Sequence, residues 1–432
     1  MIALLFLLAG TAFAGETRTL TLADTLRLVV ERNPDLQSAD LARDIAAIEA
    51  RRARLDRFSA TVVATGGGDA GVAKPWKQDA YAGTDASWDT HANLAVPLYA
   101  GGAVRASVDA ADAGAEMASL DRLITARSLQ RSAYTAYWNI KGYELQIEAA
   151  QEGLDLTQQA LDIIVAKADA GLAAGIDVNR SKVDLYAQQE TLVEEKAALY
   201  DAQQELLRLL HYGDDALVLA DPPPAPSDAA VSIPDTVPDR PELARKAQEA
   251  RQAADAVTSA RAGALPTLSV TATAGGSGSA SGVTGSTTFD PDDLGPSLDA
   301  SVGLSLSWDI FDLFQTRDAV AVAKLQAQQV DASTESTRDS LAAELRRAAS
   351  NVRQLRERAP LVDAQVALAR DNLQIVQGLY GQGSATILDL FNAQASFRQA
   401  RTQGASLRVQ LATAEYDLRW LSGEALTPSG TP

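Results

Sequence analysis

Few side chains in this sequence could make or break bonds. Among 432 residues there is no Cys, and only two His occur, His91 and His211, far apart in the chain. Disulfides, thiolate metal sites and Cys nucleophiles are excluded, and a His-based catalytic or metal cluster lacks the residues to build it. No phosphate-binding Gly loop and no Gly-x-Ser-x-Gly nucleophile elbow is present. The sequence therefore predicts no enzyme and no cofactor. What remains is electrostatics. The formal charge is -18, which argues against a nucleic-acid partner and suits either a solvated surface or the wall of a cation-preferring pore. Two acids stand out by position. Asp177 and Asp389 lie 212 residues apart at the same place in two copies of one pattern, in which Gly171 matches Gly383 and Ala173 matches Ala385. Each copy reads as a turn: glycine closes one helix, and a short run opens the next. Gly171 and Gly175 mark the first turn, Gly381 and Gly383 the second. An acid in the opening turn of a helix is favoured by the macrodipole.

Long helical patterns lead into and out of both turns. One runs from about Gly102 to Asp169 and another over about 313–380, each roughly 100 Å long at 1.5 Å per residue. The returning helices end near His211 and Leu421. Leu390, Phe397, Gly404, Leu411 and Leu418 recur every seven residues, as do Val178, Leu185, Leu192, Leu199 and Leu206. Sustained heptads predict coiled-coil packing. The two halves repeat each other. Asn33-Pro34-Asp35-Leu36 corresponds to Arg240-Pro241-Glu242-Leu243. The expected divisions are a signal peptide at 1–14, a first repeat at 15–212, a Pro-rich linker at 213–240, a second repeat at 241–421 and a disordered tail at 422–432. The leader is read from the apolar run Ile2 to Ala9 and the Ala12-Phe13-Ala14 cleavage pattern.

Each repeat also carries two strand patterns. The first pair is Phe58 to Thr65, broken at Gly66-Gly67-Gly68, and Trp88 to Leu98 after a polar loop over 69–86. The second pair starts at Leu265 and, after a Gly/Ser loop over about 275–287, at Leu298. Alternation gives the strands an apolar face. No run of 18 apolar residues follows the leader, so a membrane span must be made of strands. Four strands cannot close a barrel, and open edges in lipid leave backbone groups unpaired. The chain must then oligomerise: two copies give eight strands, three give twelve.

The segment from Leu20 to Leu36, the strand entry Ala264-Leu-Pro-Thr-Leu268, Leu306-Ser-Trp-Asp-Ile-Phe-Asp312 and the stretch Gly383 to Gln394 resemble the outer-membrane efflux protein family, the TolC-like channels. The resemblance covers nearly the whole chain after the leader, in both repeats and in order. It implies a mixed α and β fold in which long antiparallel coiled-coil helices form an α-barrel. Four strands per chain would contribute to a shared transmembrane β-barrel, on an internal two-fold repeat. It implies a homotrimer in the cell outer membrane, the helical barrel projecting into the periplasm. Such a channel is the exit duct of a tripartite efflux pump or type I secretion system, with a periplasmic adaptor protein and an inner-membrane transporter as partners. It implies a periplasmic gate at Asp389, with Asn392 where a second acid is often found, and a lesser gate role for Asp177. The turns at Gly171, Gly175, Gly381 and Gly383 would be adaptor-docking tips. A soluble periplasmic coiled-coil adaptor or scaffold is the alternative reading, and it leaves the four alternating strands unexplained.

Overall fold

The computed structural model describes residues 18–73, 81–213, 217–222, 238–283, 297–312 and 314–423. The leader expected at 1–14, most of the expected linker and all but the first two residues of the expected tail lie outside them. Contacts divide the chain into two compact units, residues 1–40, 122–241 and 336–432 in one, 41–121 and 242–335 in the other.

The second unit is built on a four-stranded antiparallel sheet. Its strands are β2 (Ser59–Ala73), β3 (Tyr81–Ala100), β5 (Thr267–Val283) and β6 (Ser297–Ser307), in the order β2-β3-β5-β6. Both β2 and β6 are edges. The register is continuous except for a shift between Pro97 and Tyr99. Residues paired directly across a ladder share a face, so the pairings sort the side chains. One face carries Val62, Leu94, Ala272 and Val302, and the other Thr61, Asn93, Thr273 and Ser301. The apolar face is uncovered: Val62 is 76% and Val302 79% exposed.

Here the structure corrects the sequence. Gly66-Gly67-Gly68 does not end β2, which continues to Ala73, and β5 runs through Gly275 and Gly276. Of the loops expected at 69–86 and 275–287, residues 69–73, 81–86 and 275–283 are strand, and the remainder lies outside the described residues. Glycine lowers strand propensity because it offers no side chain to pack. At these sites the missing side chain makes room. A Cβ on Gly276 would stand 3.2 Å from the Trp88 ring, and one on Gly275 would collide with His91.

The first unit is helical. It holds α1 (Leu22–Arg32), α4 (Gly175–Leu210) and α7 (Ile387–Leu421). With them are the parts of α2 (Pro34–Leu55), α3 (Ala103–Asp169) and α6 (Gln315–Gly381) that fall within its limits. Thr21 caps α1, its hydroxyl accepting from the Asp24 amide. Asn33 ends α1 and starts α2: its Oδ1 accepts from the Asp35 amide and its Nδ2 donates to the Leu209 carbonyl. Pro34 opens α2 and, in the second repeat, Pro241 opens α5 (Pro241–Ala262), the helix position where a missing N–H costs nothing. The heptad positions on α7 are core. Leu390, Phe397, Leu407 and Leu411 are buried, the first two packing with Ile164 and Leu373, the latter two with Val352 and Leu355. A parallel pair of short strands, β1 (Arg18–Leu20) with β4 (Leu217–Leu219), joins a third cluster around Tyr137, Ile140 and Leu206. Asp221, just past β4, accepts from the Leu22 amide at 2.6 Å and from the Tyr137 hydroxyl at 2.7 Å. Neither β1 nor β4 is expected from the sequence, since three residues are too few to show a period.

Candidate functional site

The two Gly-marked turns have one geometry. Gly171 has φ +70° and Gly383 φ +78°, the left-handed conformation that glycine adopts without steric cost. The Gly171 amide donates to the Ala168 carbonyl and the Leu172 amide to Lys167. In the second copy Gly383 donates to Tyr380 and Ser384 to Leu379. These paired bonds are the Schellman closure of a helix C-terminus. Gly175 and Gly381 are different, being the first residue of α4 and the last of α6. They are helical and open to solvent, with nothing within 4 Å of where a Cβ would stand.

The opening turns that follow differ between copies. Thr386, at the start of α7, forms a capping box with Asp389. The Asp389 amide donates to Thr386 Oγ1 at 3.2 Å, and Asp389 Oδ2 accepts from the Thr386 amide at 2.9 Å and its hydroxyl at 2.6 Å. These hydrogen bonds, the Thr386 hydroxyl first, hold the exposed Asp389 carboxyl below the usual carboxylate range. Ala174 occupies the corresponding place before α4 and offers no side-chain cap, so Asp177 lacks the partner that Asp389 has. Asp177 is half-buried, and its charge helps burial to push the Tyr380 hydroxyl up. Asn392 is exposed, one turn beyond Asp389.

Sequence reasoning does not find what ties the two hairpins together. Lys167 Nζ donates to the Tyr380 carbonyl and lies 4.3 Å from the centre of the Tyr380 ring, a cation–π contact. Farther from the turns, Gln394 Nε2 donates to the Leu156 carbonyl at 3.2 Å, and Arg401 Nε meets Glu152 at 2.9 Å. At offset 212 Tyr380 stands opposite Ala168, so the repeat gives no signal for it. Tyr134, Tyr137 and Trp138 belong to packing: Tyr134 stacks on Tyr416 with ring centres 3.5 Å apart, and burial pushes its hydroxyl up to about 12. Among the described residues there is no group of three or more His, Asp and Glu able to hold a metal ion, and no helix is long and apolar enough to cross a membrane.

Residues 25–210 and 233–424 match the family model described as outer membrane efflux protein. Among solved structures, the outer-membrane channel OprN superposes with a TM-score of 0.78 at 22% identity, over 94% of this chain and 90% of that one. VceC of Vibrio cholerae gives 0.80 at 18%, over 94% and 97%. The CmeC outer membrane channel of Campylobacter jejuni gives 0.78 at 18%, over 93% and 85%. At these identities the likeness establishes the shared fold.

Proposed function

This chain belongs to the outer membrane efflux protein family, and from that premise we propose how its parts divide the work of an efflux channel. The protein is an outer-membrane channel, of a family of channels rather than enzymes. The observation that carries the finer reading is the sheet: four strands, one apolar face uncovered, and two unpaired edges. In lipid such edges need partners. Three copies, pairing β6 of one with β2 of the next, close a twelve-stranded barrel with apolar residues outward and polar residues inward. The helical parts then form a periplasmic α-barrel. The soluble adaptor alternative gives the uncovered sheet nothing to do.

The hairpin turns serve two purposes in this reading. Gly175 and Gly381 leave the helix surface bare beside the Schellman glycines Gly171 and Gly383, giving a periplasmic adaptor close access to backbone. Asp389 places three carboxylates around the entrance of a homotrimer, with Asn392 one turn deeper and Asp177 set back. A carboxylate ring attracts cations. Within each chain the hydrogen bonds from Thr386 favour the charged form of Asp389. Energy and substrate choice belong to an inner-membrane transporter, and the duct serves efflux or type I secretion. The test is conductance in planar bilayers. Asp389→Ala is expected to weaken cation preference; wild-type conductance and selectivity in that variant would remove Asp389 from the gate.

A further inference from the structure

Where the strands meet the helices, the sheet is edged with aromatic side chains. Phe58 precedes β2 and Trp308 follows β6. On β3 the register shift after Pro97 pairs Tyr99 with Leu268, bringing it onto the apolar face. Aromatic side chains collect at this depth of a membrane, between acyl chains and water. Beside Trp308 lies a cavity of 770 Å³, bounded by the end of α5, the connection from β6 to α6 and the first turns of α6. Its wall is apolar at Trp308, Ile310 and Phe314, each more than half exposed, and basic at Arg261, Arg317 and Lys324.

The repeat shows what sets those cations apart. At the offsets that align the two halves, Arg261 corresponds to Arg54 and Arg317 to Arg105. Both first-repeat arginines are paired, Arg54 with Asp112 at 2.8 Å and Arg105 with Asp109 at 3.5 Å. In the second repeat Lys324 stands at the place of Asp112, and Ala321 at that of Asp109. Arg261, Arg317 and Lys324 make no ion pair or hydrogen bond among the described residues. Two acids line the same cavity. Asp312 is engaged by α6, accepting from the Phe314 amide at 3.1 Å and the Thr316 amide at 2.8 Å, which leaves Asp309 against three cations. Like charges in one cavity repel unless an anion joins them.

We propose that this cavity binds the phosphate of an anionic phospholipid from the periplasmic leaflet of the outer membrane. Arg261, Arg317 and Lys324 meet the phosphate, and the acyl chains lie along Trp308, Phe314 and the apolar face of the sheet. A zwitterionic lipid brings its own cation and gains less. The proposal rests on the sheet being membrane-spanning, and it makes the second repeat the lipid-binding half.

The test is native mass spectrometry of delipidated, detergent-extracted protein with phosphatidylglycerol or phosphatidylcholine of the same acyl chains. Wild type is expected to hold phosphatidylglycerol about tenfold more tightly. Lys324→Asp offers Arg261 the partner that Arg54 has, and is expected to abolish that preference. Arg317→Gln, in the first turn of α6 with no partner to lose, is expected to weaken it. Arg105→Gln, the matching change in the first repeat, is expected to keep it. Glycerol phosphate, a phosphate ester without acyl chains, is expected not to displace the lipid at equal concentration. A preference absent from wild type, unchanged in Lys324→Asp or Arg317→Gln, or lost equally in Arg105→Gln overturns the proposal and leaves the channel standing. Displacement by glycerol phosphate overturns it too, by assigning the cations to a free anion. So does a Lys324→Asp protein that keeps its lipid and falls to single chains, which would assign them to a carboxylate of a neighbouring copy. Protein that leaves the membrane fraction without detergent overturns the membrane reading and the proposal together.

Discussion

Asp389 carries two roles that a single substitution would confuse. It completes the capping box of α7, and it supplies the charge proposed for the entrance. Thr386→Ala separates them, removing the cap and keeping the carboxylate. Loss of an N-cap costs about 1 kcal/mol, so Thr386→Ala is expected to speed hydrogen exchange at the α7 N-terminus without changing cation preference. If Thr386→Ala alters selectivity as Asp389→Ala does, the effect belongs to the cap. The pH dependence has a definite sign. A carboxylate whose pKa is depressed in the folded chain adds stability above its ordinary value, and that stability is lost as pH falls through the lowered value. Exchange protection at the start of α7 is expected to hold from neutral pH down to the ordinary carboxylate range and to fall only below it. The cap by Thr386 went unread, whereas an acid in the opening turn of a helix was legible at Asp389. The Lys167–Tyr380 link was not, because it joins two hairpins through residues that the repeat does not equate. His91 was equally hidden while Gly275 read as loop.

At the scale of elements, the four glycines of the turns divide in two. Gly171 and Gly383 are left-handed, and a Cβ there costs about 1–2 kcal/mol. Gly175 and Gly381 are helical in open space, where alanine is the better helix former by about 1 kcal/mol. Gly383→Ala is expected to lower stability in denaturant titrations, and Gly381→Ala to leave it unchanged or higher. If Gly381→Ala folds and yet loses cross-linking to an adaptor, its bareness serves docking; undisturbed cross-linking would leave it without that role. Along the same hairpin the heptads were legible because coiled-coil packing repeats its contacts every two turns. Leu411, 4% exposed among Val352, Leu355 and Leu407, is expected to cost about 2–5 kcal/mol when replaced by alanine. A melting point equal to wild type would deny it a core position. The strands were half legible. Alternation located Trp88 to Leu98 and Leu298 to Leu306, while glycine concealed how far β2 and β5 extend. Both pair with β3 along that length, and on β5 the rings of His91 and Trp88 stand where side chains on Gly275 and Gly276 would, which no local pattern reports.

For the whole molecule, the internal repeat did most to reveal the architecture. Two weak copies of each signal, in the same order, give a mixed fold of long helices and four strands that neither copy specifies alone. What one chain does not contain is the closure of its own sheet. An uncovered apolar face on a sheet with two open edges is unstable in water and in lipid alike unless other copies complete it. The central claim is therefore one of assembly. The direct measurement is the mass of the protein extracted from the membrane fraction in detergent, taken before and after heating. The account predicts a particle of three chains that needs detergent to leave the membrane and falls to single chains when heated. Single chains in the water-soluble fraction after lysis would contradict it.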